Sequence, residues 1–222
     1  MTQRREPFFG WPGWDHLRYF AIVGLAQTLW FGLIYGGADR LTAERSFRVR
    51  VHLDEELKLP FVPEIIIVYM SIYLLFWSAP FILRTRRQLR ALAVTLATVT
   101  FCGGICFLLL PAESAFPPPQ NIDRWRQLFH LADWLNLEYN MVPSLHVALS
   151  VACVAAFSGR ASLIGRIVLW SWAVAVGVST VLTHQHHLLD VLTGFLLGLV
   201  VTSLVYNRSS NSGQLVRHPT SL

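Results

Sequence analysis

Long apolar runs broken by short polar joints organise this chain. A transmembrane helix needs about 20 mostly apolar residues. Six stretches meet or approach that length, roughly 17–37, 63–83, 88–110, 143–159, 163–183 and 187–206. The fourth is the shortest and is polar at its start. The fifth and sixth are separated only by the turn from Thr183 to His187. No internal repeat is visible. The pattern predicts an all-α polytopic membrane protein of six transmembrane helices, a single membrane-embedded domain over 1–222 with its core at about 63–206. The segment 207–222 is poor in apolar residues and reads as a flexible tail.

Composition agrees. Of the 222 residues, 54% are hydrophobic and only 14% charged, with a mean hydropathy of +0.47. A soluble domain is about 25% charged, so the chain does not read as an ordinary cytosolic globule. The net charge is +5, and every basic residue except Lys58 is arginine. These arginines sit between apolar runs rather than in one patch, which excludes nucleic acid as the expected partner and makes them markers of orientation. With the N-terminus on one side, that side receives eleven basic residues against the two acids Glu6 and Asp15. The other side receives seven basic residues mixed with a larger number of acids. Both termini are therefore expected in the cytoplasm, and 38–62, 111–142 and the turn 184–187 face outward. The opening lacks the pattern of a cleaved signal peptide, so the first span is expected to stay as an anchor. Gly194 with Gly198, and Gly32 with Gly36, are read as helix-packing surfaces. Cys102, Cys106 and Cys153 lie inside apolar runs and read as small hydrophobes.

Ionisable groups within a span are costly and mark function. Asp190 is the one acid placed clearly inside an apolar run, four residues after His186. On a helix that spacing puts both side chains on one face. The carboxylate then accepts from one imidazole nitrogen, and the other stays basic. The bland alternative is a buried pair that staples two helices. His146 changes the balance. It follows Pro143, Ser144 and Leu145 at the start of the fourth span, where Pro suits a first helical turn and free backbone N–H groups with the Ser144 hydroxyl make an anion cradle. The fourth span leaves the outer face just after His146, and the fifth returns to it just before His186. Two histidines, a carboxylate and an anion cradle thus arrive at one membrane depth. Such a set suits phosphoryl transfer through a phosphohistidine, with one imidazole attacking, the carboxylate orienting it and the second imidazole protonating the leaving oxygen. His184, His186 and His187 cannot all point the same way from one helix start, so no metal and no other cofactor is expected.

The residues Pro143-Ser144-Leu145-His146-Val147-Ala148 resemble the second signature of the type 2 phosphatidic acid phosphatase superfamily, with Leu145 at a position that is Gly in many members. Leu is typical there of the branch resembling inositol phosphorylceramide synthases. Ser179, then His186, then Asp190 resembles the third signature, and Gln185 to Gly194 is similar to the family's catalytic helix. The resemblance implies His186 as nucleophile, Asp190 as its orienting partner, His146 as general acid and Ser144 with Leu145 at the phosphate. It departs at two places. Thr180 stands where the third signature has Arg, and Leu110 to Pro119, where the basic first signature belongs, holds no basic residue. Arg124 and Arg126, in the same outward segment, are the candidate substitutes.

The expectation is an integral membrane lipid phosphatase or phosphotransferase, with a lipid phosphate as substrate and water or an alcohol such as ceramide or diacylglycerol as acceptor. The missing cations favour a phosphodiester or diphosphate lipid. The rival is a weakened relative that binds or transports a phospholipid without cleaving it. A bacterial inner membrane with the site on the periplasmic side is the expected setting.

Overall fold

The computed structural model describes residues 7–119 and 122–211. It holds helices α1 (Trp14–Ala43), α2 (Pro63–Ile82), α3 (Arg86–Leu109), α4 (Arg126–Leu135), α5 (Leu145–Ser158), α6 (Leu163–Leu182) and α7 (Leu188–Ser210). Among the described residues there is no strand. Five helices, α1, α2, α3, α6 and α7, are long and apolar enough to cross a membrane.

The fourth expected span is a helix of 14 residues, about 21 Å long against a hydrocarbon core of about 30 Å. Its position explains how so short a helix belongs here. Val147, Ala148, Val151, Ala152, Cys153, Val154 and Phe157 are fully buried, and α5 packs against α2, α3, α6 and α7 at once. A helix apolar all round is a core helix. Ser144 caps it, its Oγ accepting the Val147 N–H at 3.4 Å. Pro143 precedes this cap instead of occupying the first turn that the sequence suggested.

Two glycines set how closely α7 approaches α5. A Cβ on Gly194 would lie 2.4 Å from the Ser144 carbonyl oxygen, and one on Gly198 2.6 Å from that of Ala148. Backbone therefore meets backbone, and the Ser144 N–H donates to the Asp190 carbonyl at 2.9 Å. The expected Gly32–Gly36 packing surface meets no neighbour among the described residues. A Cβ on either residue would meet nothing within 4 Å, and both lie in a π-helical turn of α1. The Tyr35 carbonyl in that turn accepts the Asn140 side-chain N–H at 2.7 Å and so ties α1 to the loop before α5.

Helix α2 is interrupted at Ser71, where i→i+3 bonds (Ser71 N–H to the Val68 carbonyl, Leu74 N–H to the Ser71 carbonyl) replace the α-helical ladder. Helix α4, which the periodicity did not announce, packs Phe129 and Ala132 onto Ile66 and Tyr69 of α2. Outside the helices, Val51, Ala112, Met141 and Val142 form a small apolar cluster that gathers three connecting segments over the starts of α5 and α7. Helix α7 runs beyond residue 206, and its last carbonyls, on Ser209 and Ser210, accept from Arg87 at 3.0 and 2.7 Å. The rest of the expected tail lies outside the described residues.

Replacing Gly198 by Ala should cost about 1–3 kcal/mol, because the clash is with main chain that cannot swing away. The same change at Gly24, where a Cβ meets nothing, should be neutral or stabilising by up to about 1 kcal/mol. Thermal unfolding of the two variants in detergent tests the contrast.

Candidate active site

The turn between α6 and α7 is held from behind by one carbonyl. Thr180 O accepts the Gln185 N–H at 2.9 Å and the His186 N–H at 3.1 Å. The buried Thr180 hydroxyl bonds within its own helix, to the Gly177 carbonyl at 2.7 Å. Thr180 therefore shapes the turn through its backbone. His184 takes the tight position, with φ of 57°, a left-handed conformation uncommon for residues with a side chain. Its ring stacks on Phe116 at 4.1 Å, and its Nε2 lies 3.2 Å from the Leu59 carbonyl.

The His186–Asp190 pair forms as the spacing predicts. Nδ1 of His186 is 3.3 Å from Asp190 Oδ2. Asp190 is fully buried, and the same Oδ2 accepts the His187 N–H at 2.8 Å. A carboxylate at a helix N-terminus is favoured by that free N–H and by the positive end of the helix dipole. Oδ1 of Asp190 is buried and has no hydrogen-bond partner among the described residues. With Nδ1 facing the carboxylate, Nε2 of His186 makes no hydrogen bond among the described residues. The ring sits at the edge of the buried region, 8% exposed. That is the arrangement of a nucleophilic or basic nitrogen oriented from behind.

His146 lies within electrostatic reach of His186. Its ring stacks on Tyr69 at 3.9 Å, and its Nε2 is 2.7 Å from the Tyr69 carbonyl. That carbonyl is available because α2 is interrupted two residues later. A carbonyl only accepts, so Nε2 carries its proton there, and Nδ1 is the nitrogen left to exchange one. Tyr69 continues the network. The Asn136 side chain donates to the Tyr69 hydroxyl at 2.6 Å and to Gln185 Oε1 at 2.8 Å, which connects α2, α4 and the turn that carries His186.

The remaining expected residues separate into two groups. Ser144 is buried, and its hydroxyl caps α5. The Leu145 side chain packs on Gly103 of α3. Both stand beside the pair through the Ser144–Asp190 bond. Arg124 and Arg126 stand apart. Arg126 pairs with Asp123 at 2.9 Å on the surface, and Arg124 lies over the Trp125 ring. Among the described residues neither guanidinium bonds to the histidines.

Three features were not read from the sequence. The segment 110–119, which lacks cations, does lie against the site. Its Ala115 N–H donates to His187 Nε2 at 3.0 Å, and Phe116 stacks between His184 and His187. Glu56, from the segment joining α1 to α2, is 3% exposed and reaches His187 and the start of α7. Tyr69 and Asn136 position His146 and Gln185. Such contacts are long-range, and only the repeated acids around Glu56 and the isolated Asn136 gave any local trace of them. Among the described residues no group of three or more His, Cys, Asp or Glu is arranged to hold a metal.

The structure thus presents a carboxylate-oriented histidine and a second histidine on adjoining helix starts of an apolar helical bundle, an arrangement chemically suited to acid–base or nucleophilic work. Residues 89–214, more than half of the chain, match the PAP2 superfamily. The chain belongs to that superfamily, whose members are in general phosphatases and phosphotransferases of lipid phosphates. No curated protein matches the chain.

Burial drives the His184 and His187 rings below the ordinary imidazole value of 6.5, opposed at His187 by the Asp190 and Glu56 carboxylates. Between the folded and unfolded values the unfolded chain binds more protons, so stability is complete above 6.5 and declines as pH falls below it. The unfolding temperature in detergent should therefore drop between about pH 7 and about pH 5, and His184→Gln should flatten that dependence.

Proposed function

We propose that the chain is a lipid phosphatase or phosphotransferase working through a phosphohistidine at His186. The observation that carries this reading is the His186 ring itself, with Nδ1 turned to the buried Asp190 and Nε2 unbonded. Nε2 attacks phosphorus and the P–O bond to the leaving group breaks, while His146, entering the step as the imidazolium with its Nε2–H on the Tyr69 carbonyl, gives its Nδ1 proton to the departing oxygen. Water or an alcohol then attacks the phosphohistidine and loses its proton to His146, and His186 is regenerated. Asp190 holds the tautomer and balances the positive ring of the intermediate. Ser144 and Leu145, the cap and first residue of α5, and Thr180, through its turn, frame the phosphate.

Of the two expected classes, phosphodiester and diphosphate lipids, the phosphodiester is the favoured substrate. A monoester dianion beside Asp190 and Glu56 needs cations, and each charge-assisted bond forgone costs about 1.5–3 kcal/mol. A phosphodiester carries one charge, which backbone N–H groups of the α5 turn can meet. Leu145 in place of Gly supports a reading in the branch resembling inositol phosphorylceramide synthases, with ceramide or diacylglycerol as acceptor. In this topology α5 completes six spans, both termini are cytoplasmic and the site opens outward, as the arginine distribution favours. Arg124 and Arg126 meet the lipid headgroup from the rim.

The test is turnover by purified protein in detergent with EDTA, offering labelled phosphatidic acid, phosphatidylinositol and a polyprenyl diphosphate, with and without ceramide or diacylglycerol. Chelator-resistant product is expected from the wild type and none from His186→Ala. Phosphatidic acid should be a poorer substrate than phosphatidylinositol, and Arg124→Ala should raise KM more than it lowers kcat. Product formation that persists in His186→Ala, or that EDTA abolishes, would overturn the mechanism. Lipid binding without release of phosphate would identify the non-catalytic relative instead.

A further inference from the structure

Glu56 is a buried acid with no cationic side chain bonded to it among the described residues, yet its carboxylate is fully used. Oε1 accepts the Leu53 N–H at 2.7 Å and lies 3.2 Å from His187 Nδ1, while Oε2 accepts the Leu188 N–H at 2.9 Å. One side chain thus closes its own turn and clamps the first turn of α7. The other ring nitrogen of His187 accepts from the Ala115 N–H, so the ring's single proton belongs on Nδ1, facing Glu56. The His187 main-chain N–H in turn donates to Asp190 Oδ2, the oxygen that faces His186. The chain of contacts runs from Glu56 through His187 and Asp190 to His186. Nothing else from the segment 44–62 reaches this turn with a charge, although the His52 ring stands 5.2 Å from that of His187.

We infer that Glu56 is a positioning residue for the His186–Asp190 pair, acting through His187. The inference rests on the proposed function, in which that pair does the chemistry. It assigns the segment between α1 and α2 a part in setting the angle and tautomer of the site. Its carboxylate faces His187 Nδ1 at 3.2 Å without forming a hydrogen bond, so its charge supports the Nδ1–H tautomer that the Ala115 N–H already selects, and it locks the backbone whose N–H steadies Asp190. Glu56→Gln keeps the size and one acceptor oxygen but removes the charge and places an amide against Leu188 N–H or His187 Nδ1–H, each already a donor. Glu56→Asp keeps the charge on a shorter stem.

Two readouts on the full-length protein in detergent decide it. The first is turnover of fluorescent phosphatidylinositol and phosphatidic acid with EDTA, for the wild type, Glu56→Gln, Glu56→Asp and the exposed neighbour control Glu55→Gln. The second is the 15N spectrum of histidine-labelled protein, with His187→Gln assigning the His187 signals. The expected result is a kcat roughly tenfold or more below wild type in Glu56→Gln with KM within about twofold, partial rescue by Glu56→Asp and no change in Glu55→Gln. The His187 signals should leave the Nδ1–H pattern in Glu56→Gln. Unchanged kcat or an unchanged His187 pattern in a folded Glu56→Gln, with His186→Ala inactive, would overturn the inference and leave the proposed function standing. If the wild type turns over neither lipid, the proposed function loses its support. The 15N pattern then decides alone, a retained Nδ1–H tautomer in Glu56→Gln overturning the inference and a lost one upholding the positioning of His187.

Discussion

The close passage of α7 across α5 is the constraint on which the rest of this structure depends. Because Gly194 and Gly198 carry no side chain, the two backbones meet, and the Ser144 N–H can donate to the Asp190 carbonyl at 2.9 Å. That bond fixes the first turn of α7 against the first turn of α5. His186 and Asp190 belong to one turn and His146 to the other, so their relation is set by main-chain contact rather than by flexible side chains. Positions held by backbone packing keep the sub-ångström placement that chemistry requires. The shortness of α5 follows from the same arrangement. A helix buried on every side answers to its neighbours and not to the thickness of the bilayer.

A second device recurs around this centre. Breaks in helical hydrogen bonding release carbonyls, and the released carbonyls meet side chains of the first turn of α5 and of the loop before it. The interruption of α2 near Ser71 frees Tyr69 O for His146, and the π-helical turn of α1 leaves Tyr35 O for Asn140. Irregular helical turns carry a cost and are common where function lies. Here each one joins a spanning helix to a residue at or beside the site. Stacking of His146 on Tyr69 and of Phe116 between His184 and His187 then packs the histidines among flat apolar faces, which limits their rotation and keeps water at the edge.

The parts legible in the sequence are those written in local periodicity and short spacing. The spans at 63–83, 88–110 and 163–183 were readable because lipid demands unbroken apolar runs, and the His186–Asp190 contact because i,i+4 spacing on a helix leaves little choice. The small-residue pair in α7 was readable, whereas the identical spacing of Gly32 and Gly36 misled. Spacing alone does not say whether a neighbour is present to fill the groove, and α1 faces open space there. What stayed hidden depends on contacts across long sequence distances. Glu56 sits among other acids in a polar segment, and only the fold sets it apart by burying it 132 residues away from its partner Leu188. Thr180, known from the sequence only as the residue at the signature's arginine position, gave no hint that its carbonyl would hold the turn before α7.

The charges at this centre bear on what it can accept. The free N–H groups at the start of α7, which in another context would receive an anion, are taken by the protein's own carboxylates, His187 N–H by Asp190 and Leu188 N–H by Glu56. The positive end of that helix therefore stabilises the orienting apparatus and has little left for substrate charge. The segment 110–119 contributes a backbone N–H and an aromatic ring where cations were expected, and its N–H is given to His187. What remains for a phosphate is the turn at the start of α5. One such turn balances a single negative charge far better than two, because each further charge needs its own donors in a poorly hydrated place. The Ser144–Asp190 bond sets this same turn against the one that carries the His186–Asp190 pair, so on the proposed mechanism orientation of the nucleophile and selection of a singly charged phosphate arise from one piece of backbone geometry.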